Sequence, residues 1–187
     1  DWDDPEALVK LASQVDVVTL ENEFVDAGSL RALEEAGYVL RPSARCIALV
    51  QDKLVQKQTL AAAGLPVQPF EAVADVAEVE RAGARLGWPL LLKARRNAYD
   101  GKGNATLRSA ADAPAAWRRL GGDAGRALFV EAFCEFAAEL AVIVTRGGDG
   151  ASVIYPVVET VQRDHVCHVV KAPAPVPAEI AARTAEV

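Results

Sequence analysis

A lysine closes the most apolar strand of this chain. Leu90, Leu91 and Leu92 follow Pro89 and run directly into Lys93. Three leucines in a row predict a buried strand, and an ammonium group at its end is costly to desolvate unless an anion awaits it. The polar stretch after it, Asn97-Ala98-Tyr99-Asp100-Gly101-Lys102-Gly103-Asn104, carries two glycines that can expose successive backbone N–H groups to a phosphate. The segment through Arg108 then returns as a second strand. Strand, lysine and glycine loop together predict a phosphate cradle. It is not a P-loop, because no Gly-x-x-x-x-Gly-Lys-Ser/Thr string opens a helix here. The alternative is an ordinary hairpin whose Asp100-Gly101 turn needs positive φ and whose basic residues face water.

The flanking pattern alternates strands and helices. Asp4-Pro5 predicts a helix start, Val15 to Leu20 (VDVVTL) a short buried strand, Asp26 the cap of a second helix ending at Gly37, and Tyr38 to Leu40 another strand. That succession points to an α/β layer, half a nucleotide-fold domain at most. A helix from Asp52 to Gly64, an extended Leu65 to Phe70, and an amphipathic helix from Asp75 to Leu86 follow. Asp112 is expected to cap a short helix, and Ala127 to Glu131 (ALFVE) to form a strand. The last third reads as antiparallel: a hairpin of Leu140 to Thr145 with Ser152 to Val158, a strand near Val166 to Val170, and a helix from Ala178.

Charge narrows the function. Twenty-six acids against twenty bases give a formal charge of -6, which argues against a nucleic-acid or membrane-surface binder. No apolar run is long enough to span a bilayer. Three scattered cysteines, Cys46, Cys134 and Cys167, fit a reducing cytosol better than a disulfide framework. The chain starts at Asp1 and holds no methionine, so it reads as a portion of a longer protein.

Several acids stand where ligands bind. Glu131 ends one strand and Glu139 begins the next. A carboxylate there can accept from a ribose diol while neighbouring backbone reads an adenine edge, or both can be solvated strand ends. Glu21 and Glu23, two apart at the end of VDVVTL, are expected on one face at the carboxyl end of a parallel strand. His165-Val166-Cys167-His168 invites a metal reading, but strand alternation turns His168 away from His165 and Cys167, favouring a plain surface strand. No nucleophile elbow or Cys–His pairing suggests covalent catalysis. Arg118, Arg119 and Arg126 read as a solvated rim, and Trp2, Trp88 and Trp117 as core or interface anchors.

Taken together, Gln51-Asp52-Lys53, Lys93-Ala94-Arg95-Arg96, Tyr99 to Asn104, Val130-Glu131, Glu139-Leu140 and Tyr155-Pro156 resemble an ATP-grasp enzyme. The particular resemblance is to the 5-(carboxyamino)imidazole ribonucleotide synthase family of purine synthesis, from about Val15 to Pro175. It implies an ATP-grasp fold preceded by a partial Rossmann-like half-domain, divided at 1–57, 58–131 and 132–187. It also implies that Lys53 and Lys93 contact ATP phosphates and that Ala98, Tyr99, Asp100, Gly101, Lys102, Gly103 and Asn104 form the loop over them. Glu131, Ala132, Phe133 and Cys134 would line the adenine slot, Glu139 would hold the ribose, Gln162 would lie near the nucleotide, and Glu21 and Glu23 would meet the second substrate. The implied reaction is ATP- and magnesium-dependent carboxylation of 5-aminoimidazole ribonucleotide by bicarbonate, in a cytoplasmic homodimer. Other ATP-grasp carboxylases or formyl-transfer ligases, or a catalytically incomplete nucleotide-binding relic, share the same cradle.

The chain departs from the family pattern in having Asn97-Ala98 for two glycines, Lys53 for a frequent arginine, and Gln162 for a frequent histidine. By the same resemblance, the family's glycine-rich opening turn would precede Asp1, and its magnesium carboxylates would lie beyond Val187. The expectation is therefore that no metal ligand lies between Asp1 and Val187 and that the segment alone does not turn over substrate.

Overall fold

The computed structural model describes residues 4–98, 102–163 and 166–186. Val187, the residue beyond which the magnesium carboxylates are expected, lies outside the described residues. Those described fall into two compact units, residues 4–98 with 103–132, and residue 102 with 133–163 and 166–186.

The first unit holds two separate apolar clusters. One gathers Leu8, Leu30, Leu33, Leu40 and Ile47 from α1 (Pro5–Ala12), α2 (Ala27–Glu35), α3 (Ala44–Gln51) and the segments between them. Each helix start is fixed by a side chain accepting from an otherwise orphaned N–H. Asp4 accepts from Glu6 at 3.0 Å, Asp26 from Ser29 at 2.7 Å and Ser43 from Cys46 at 3.2 Å. The expected strands Val15 to Leu20 and Tyr38 to Leu40 reduce to a single parallel bridge, Val18 to Leu40. Val18 donates to the Val39 carbonyl and Arg41 to the Val18 carbonyl, each at 2.9 Å. Bends at 21–23 and at 41–42 end the pairing there. Glu21 and Glu23 therefore sit in bends, where strand alternation does not govern which way they point.

The second cluster lies against one face of an antiparallel four-stranded sheet. Its strands are β1 (Phe70–Val73), β2 (Leu90–Ala94), β3 (Asn104–Leu107) and β4 (Leu128–Ala132), in the spatial order β1-β4-β2-β3. α4 (Lys53–Ala62) precedes β1, α5 (Val76–Leu86) joins β1 to β2, and α6 (Ala113–Arg119) joins β3 to β4. Leu90, Leu92 and Ala94 of β2 and Leu128 and Val130 of β4 point to α5 and α6, where Val79, Ala82, Ala116 and Trp117 complete the cluster. α5 is capped by Asp75, which accepts from Glu78 at 2.7 Å. A glycine interrupts its apolar stripe: the ring of Trp88 occupies the space that a Cβ on Gly83 would need. Asp112 does not cap α6. Its carboxylate instead accepts from the N–H groups of Arg108 at 2.8 Å and Ser109 at 3.0 Å, ahead of a 3-10 turn at Ala110–Asp112.

In the second unit β5 (Glu139–Ala141), β8 (Val158–Arg163) and β9 (Val166–Lys171) form one antiparallel sheet in that order, and β6 (Val144–Arg146) pairs with β7 (Ser152–Ile154). The expected hairpin is thus one ribbon in two pieces. Tyr155 still donates to the Ile143 carbonyl at 2.9 Å, but the register then slips by one residue, from Val144 opposite Ile154 to Ala141 opposite Val158. α7 (Ala178–Glu186) follows.

Candidate functional site

Strand alternation sets up the other face of the four-stranded sheet. With Leu90, Leu92 and Ala94 turned to the core, Leu91 and Lys93 face the opposite way. In the β2–β4 ladder Leu91 lies opposite Glu131 and Lys93 opposite Phe129, so Lys93 and Glu131 are diagonal neighbours on one surface. Lys93 Nζ donates to Glu131 Oε1 at 2.8 Å. The other carboxylate oxygen, Oε2, meets Lys57 Nζ at 2.9 Å. Lys57 lies one turn beyond Lys53 on α4, and its ammonium stands 5.5 Å from the centre of the Phe70 ring. Phe70 is itself the β1 partner of Glu131.

Glu131 is thus neither a solvated strand end nor a free acceptor. It is 7% exposed and held by two cations. Burial pushes its carboxyl upward, but the hydrogen bonds from Lys57 and Lys93 and their charges outweigh that and hold it below its ordinary value. Two ammonium groups around one carboxylate leave a net positive charge on this surface, which is suited to an anion.

A second ion cluster fixes the way into the glycine loop. Asp52, 3% exposed, caps α4 by accepting from Leu54 at 3.1 Å and Val55 at 3.3 Å. The same carboxylate binds Arg95 through two bonds, Nε to Oδ1 at 3.0 Å and an Nη to Oδ2 at 2.6 Å, and Arg96 Nε at 3.3 Å. The Lys53 N–H donates to the Arg95 carbonyl at 2.9 Å, which ties the start of α4 to a residue two beyond Lys93. Arg126 donates to the carbonyls of Arg96 at 3.0 Å and Asn97 at 2.7 Å, and Arg119 to that of Asn104 at 3.0 Å. Two of the three arginines read as a solvated rim therefore hold the two stems of the loop.

The loop's departures from the family pattern have a structural account. Asn97 has φ +52°, the left-handed region that glycine enters freely and that asparagine tolerates better than most L-residues. Gly103 is buried, and a Cβ there would run into the Ala98 methyl and lie 3.6 Å from that of Ala94. Its need for glycine is one of space, since its N-terminal neighbours close on it. Gly103→Val is accordingly expected to cost about 1–3 kcal/mol of stability by overpacking. Urea unfolding of parent and variant measures the difference, and an unchanged midpoint would mean that Ala98 moves aside freely.

The remaining expected residues divide as follows. Lys53, Glu23 and Ala98 line one small recess together with Asn97. Asn104 starts β3 directly opposite Lys93. Tyr99, Asp100, Gly101 and His165 lie outside the described residues, and Lys102 is exposed. Ala132 ends β4, with its N–H donating to the Pro69 carbonyl at 2.8 Å, while Phe133 and Cys134 are exposed. In the second unit Glu139 and Gln162 do come together. Glu139 lies opposite Thr160 in the β5–β8 ladder, its carboxylate accepting from the Thr160 hydroxyl and from Gln162 Nε2 at 2.6 Å. A cavity of about 390 Å³ lined by Val73, Arg95, Trp117, Arg126 and Leu128 sits at the other end of β4 from Glu131, away from the lysines. Among the described residues no group of three or more His, Cys, Asp or Glu could hold a metal, and no helix is long and apolar enough to cross a membrane.

One face of an antiparallel four-stranded sheet thus brings two lysines to a buried carboxylate, and a second sheet-bearing unit follows in the chain. The ATP-grasp domain family matches residues 58–187, and the chain belongs to that family. Within it, the chain is 45% identical over 174 residues to N5-carboxyaminoimidazole ribonucleotide synthase of Synechococcus elongatus, covering 93% of this chain and 43% of that protein. Its shape is similar to two crystal structures of the Aspergillus clavatus synthase. The complex with ATP has a TM-score of 0.89 and 38% identity, and the match covers all of this chain and 50% of that one. The complex with ADP and 5-aminoimidazole ribonucleotide has a TM-score of 0.90 and 35% identity, covering all of this chain and 48% of that one. The chain thus spans half or less of the length of these relatives.

Proposed function

We propose that this chain is the nucleotide-binding part of a 5-(carboxyamino)imidazole ribonucleotide synthase. The observation that carries the proposal is the likeness, in sequence and in shape over nearly the whole chain, to synthases of that name. The paired lysines on the sheet face away from α5 and α6 support it chemically, because a triphosphate needs cations held ready in a partly dry site.

In this reading Lys53 and Lys93 contact the ATP phosphates, with Lys93 exchanging its bond to Glu131 for one to a phosphate oxygen. Residues 98–104 cover the β- and γ-phosphates. Glu131 to Cys134 border the adenine, with Phe133 offering apolar surface and the backbone offering hydrogen bonds. Glu139 accepts from the ribose hydroxyls, Gln162 orients Glu139, and Glu21 and Glu23 belong to the second-substrate side. A bicarbonate oxygen attacks the γ-phosphorus, the bond to the β-phosphate oxygen breaks, and ADP leaves. The amine of 5-aminoimidazole ribonucleotide then attacks the carbonyl carbon of carboxyphosphate, loses a proton, and expels phosphate. The work of the protein is positioning and charge neutralisation. Magnesium belongs to this chemistry, but the described residues offer it no ligand set. Placing its carboxylates beyond Val187 is part of the same proposal, and no step is assigned to the metal. The boundaries 1–57, 58–131 and 132–187, a Rossmann-like origin for the first of these, a homodimer and a cytoplasmic location are likewise parts of it.

The test is ATP hydrolysis by the intact protein with bicarbonate, with and without 5-aminoimidazole ribonucleotide. Release of ADP and phosphate that rises with the ribonucleotide is the expected result. Hydrolysis indifferent to it would remove the acceptor assignment and leave another ATP-grasp ligase. No hydrolysis under any condition would favour a nucleotide-binding relic.

A further inference from the structure

Lys57 has no part in the proposed ATP contacts, yet it is the second cation on Glu131. We infer that Lys57 is a positioning residue: it keeps Glu131 paired, so that Lys93 can leave that carboxylate for an anionic ligand and return to it. The inference rests on the reading of Lys93 as a phosphate contact.

Three features of the geometry carry it. First, the two lysines use different oxygens, Lys93 on Oε1 and Lys57 on Oε2, so one can depart without disturbing the other. Second, the two side chains are seated differently. Lys57 is 17% exposed, stands by the Phe70 ring as well as the carboxylate, and rises from a helix whose first turn is fixed by Asp52. Lys93 is 23% exposed and sits where β2 runs out toward the loop. Third, the charge balance depends on Lys57. With it, the cluster holds two cations and one anion and attracts a phosphate. Without it, Lys93 and Glu131 form a neutral pair, and pulling Lys93 away strands a carboxylate whose side chain is 9% exposed. Removing the second cation would therefore tighten the grip of Glu131 on Lys93 and weaken nucleotide binding with no lost contact to nucleotide.

The experiment titrates the intact protein with ATP, using Lys57→Met, Glu131→Gln and the double variant. Lys57→Met is expected to weaken ATP binding about tenfold or more, the scale set by leaving a buried carboxylate without its partner. In the Glu131→Gln background the same change is expected to have little effect, because there is no carboxylate charge left to balance. A merely structural Lys57 would lose as much in either background, and that result overturns the inference, as does wild-type affinity in Lys57→Met. If Lys57→Met alone does not fold, comparison of the double variant with Glu131→Gln decides the matter: equal affinities support it and a tenfold gap overturns it. Failure of the underlying reading looks different, for then Lys93→Ala itself would bind ATP as tightly as the parent.

Discussion

Replacing Asp52 with alanine is expected to lower the stability of the protein by about 3 kcal/mol, the scale of breaking a buried ion pair and losing a helix cap together. The side chain is 4% exposed, and its loss strands the Arg95 guanidinium and two N–H groups at the start of α4. Urea unfolding of parent and variant measures the difference, and a loss below about 1 kcal/mol would mean that water replaces these bonds at little cost. The effect also has a pH signature. Burial raises the Asp52 carboxyl, but the Arg95 hydrogen bond, the Val55 and Leu54 N–H groups and the Arg95 charge together hold it below its ordinary 3.8. A depressed folded value means that the stabilisation is complete above the unfolded value, near pH 4, and is lost as pH falls through the folded one. Glu131, also held below its ordinary 4.5, adds a loss of the same sign. The parent should therefore lose stability steeply below about pH 4, and its advantage over Asp52→Ala should shrink there.

Lys93→Ala should act on ligand binding more than on folding. Glu131 keeps Lys57 at 2.9 Å when Lys93 is removed, so the carboxylate is not stranded. Nucleotide loses a charge partner in a partly desolvated site, on the order of 2–5 kcal/mol of affinity. Calorimetric titration of the intact protein with ATP reads this directly. Unchanged affinity in a folded variant would place the phosphates elsewhere and remove the basis for the proposed reaction.

Lys93 could be singled out in the sequence because an ammonium at the end of three leucines is expensive unless something compensates it. The compensating groups could not be read the same way. Lys57 occupies a helix position where a lysine is ordinarily solvated, and only the return of β4 beside β1, far along the chain, brings Glu131 to it. Asp52 was legible as a helix cap, since that role is local. Its pairing with Arg95 and Arg96 spans more than forty residues and leaves no local trace. Arg119 and Arg126 looked like rim residues because their acceptors are backbone carbonyls, which sequence composition does not mark.

The elements divide along the same line. α5 and the β2–loop–β3 hairpin were legible because periodicity and punctuation agree there. Two elements went unforeseen. α3 is a short run of mixed apolar residues between Ser43 and Asp52 without a clear stripe, and β1 is a four-residue strand whose position depends on pairing with β4. VDVVTL erred in the other direction. Its β-branched residues favour extension, but extension becomes a ladder only where a neighbour supplies partners, and here Val18 alone finds them.

The close seating of Trp88 on Gly83 closes that position to a change that usually helps. Filling a glycine in mid-helix with alanine ordinarily strengthens the helix, by roughly 0.5–1 kcal/mol. Here the added methyl would have to displace the half-buried indole packed on that glycine, so a survey seeking hardier versions of this protein gains nothing by trying it, however attractive the sequence makes it look.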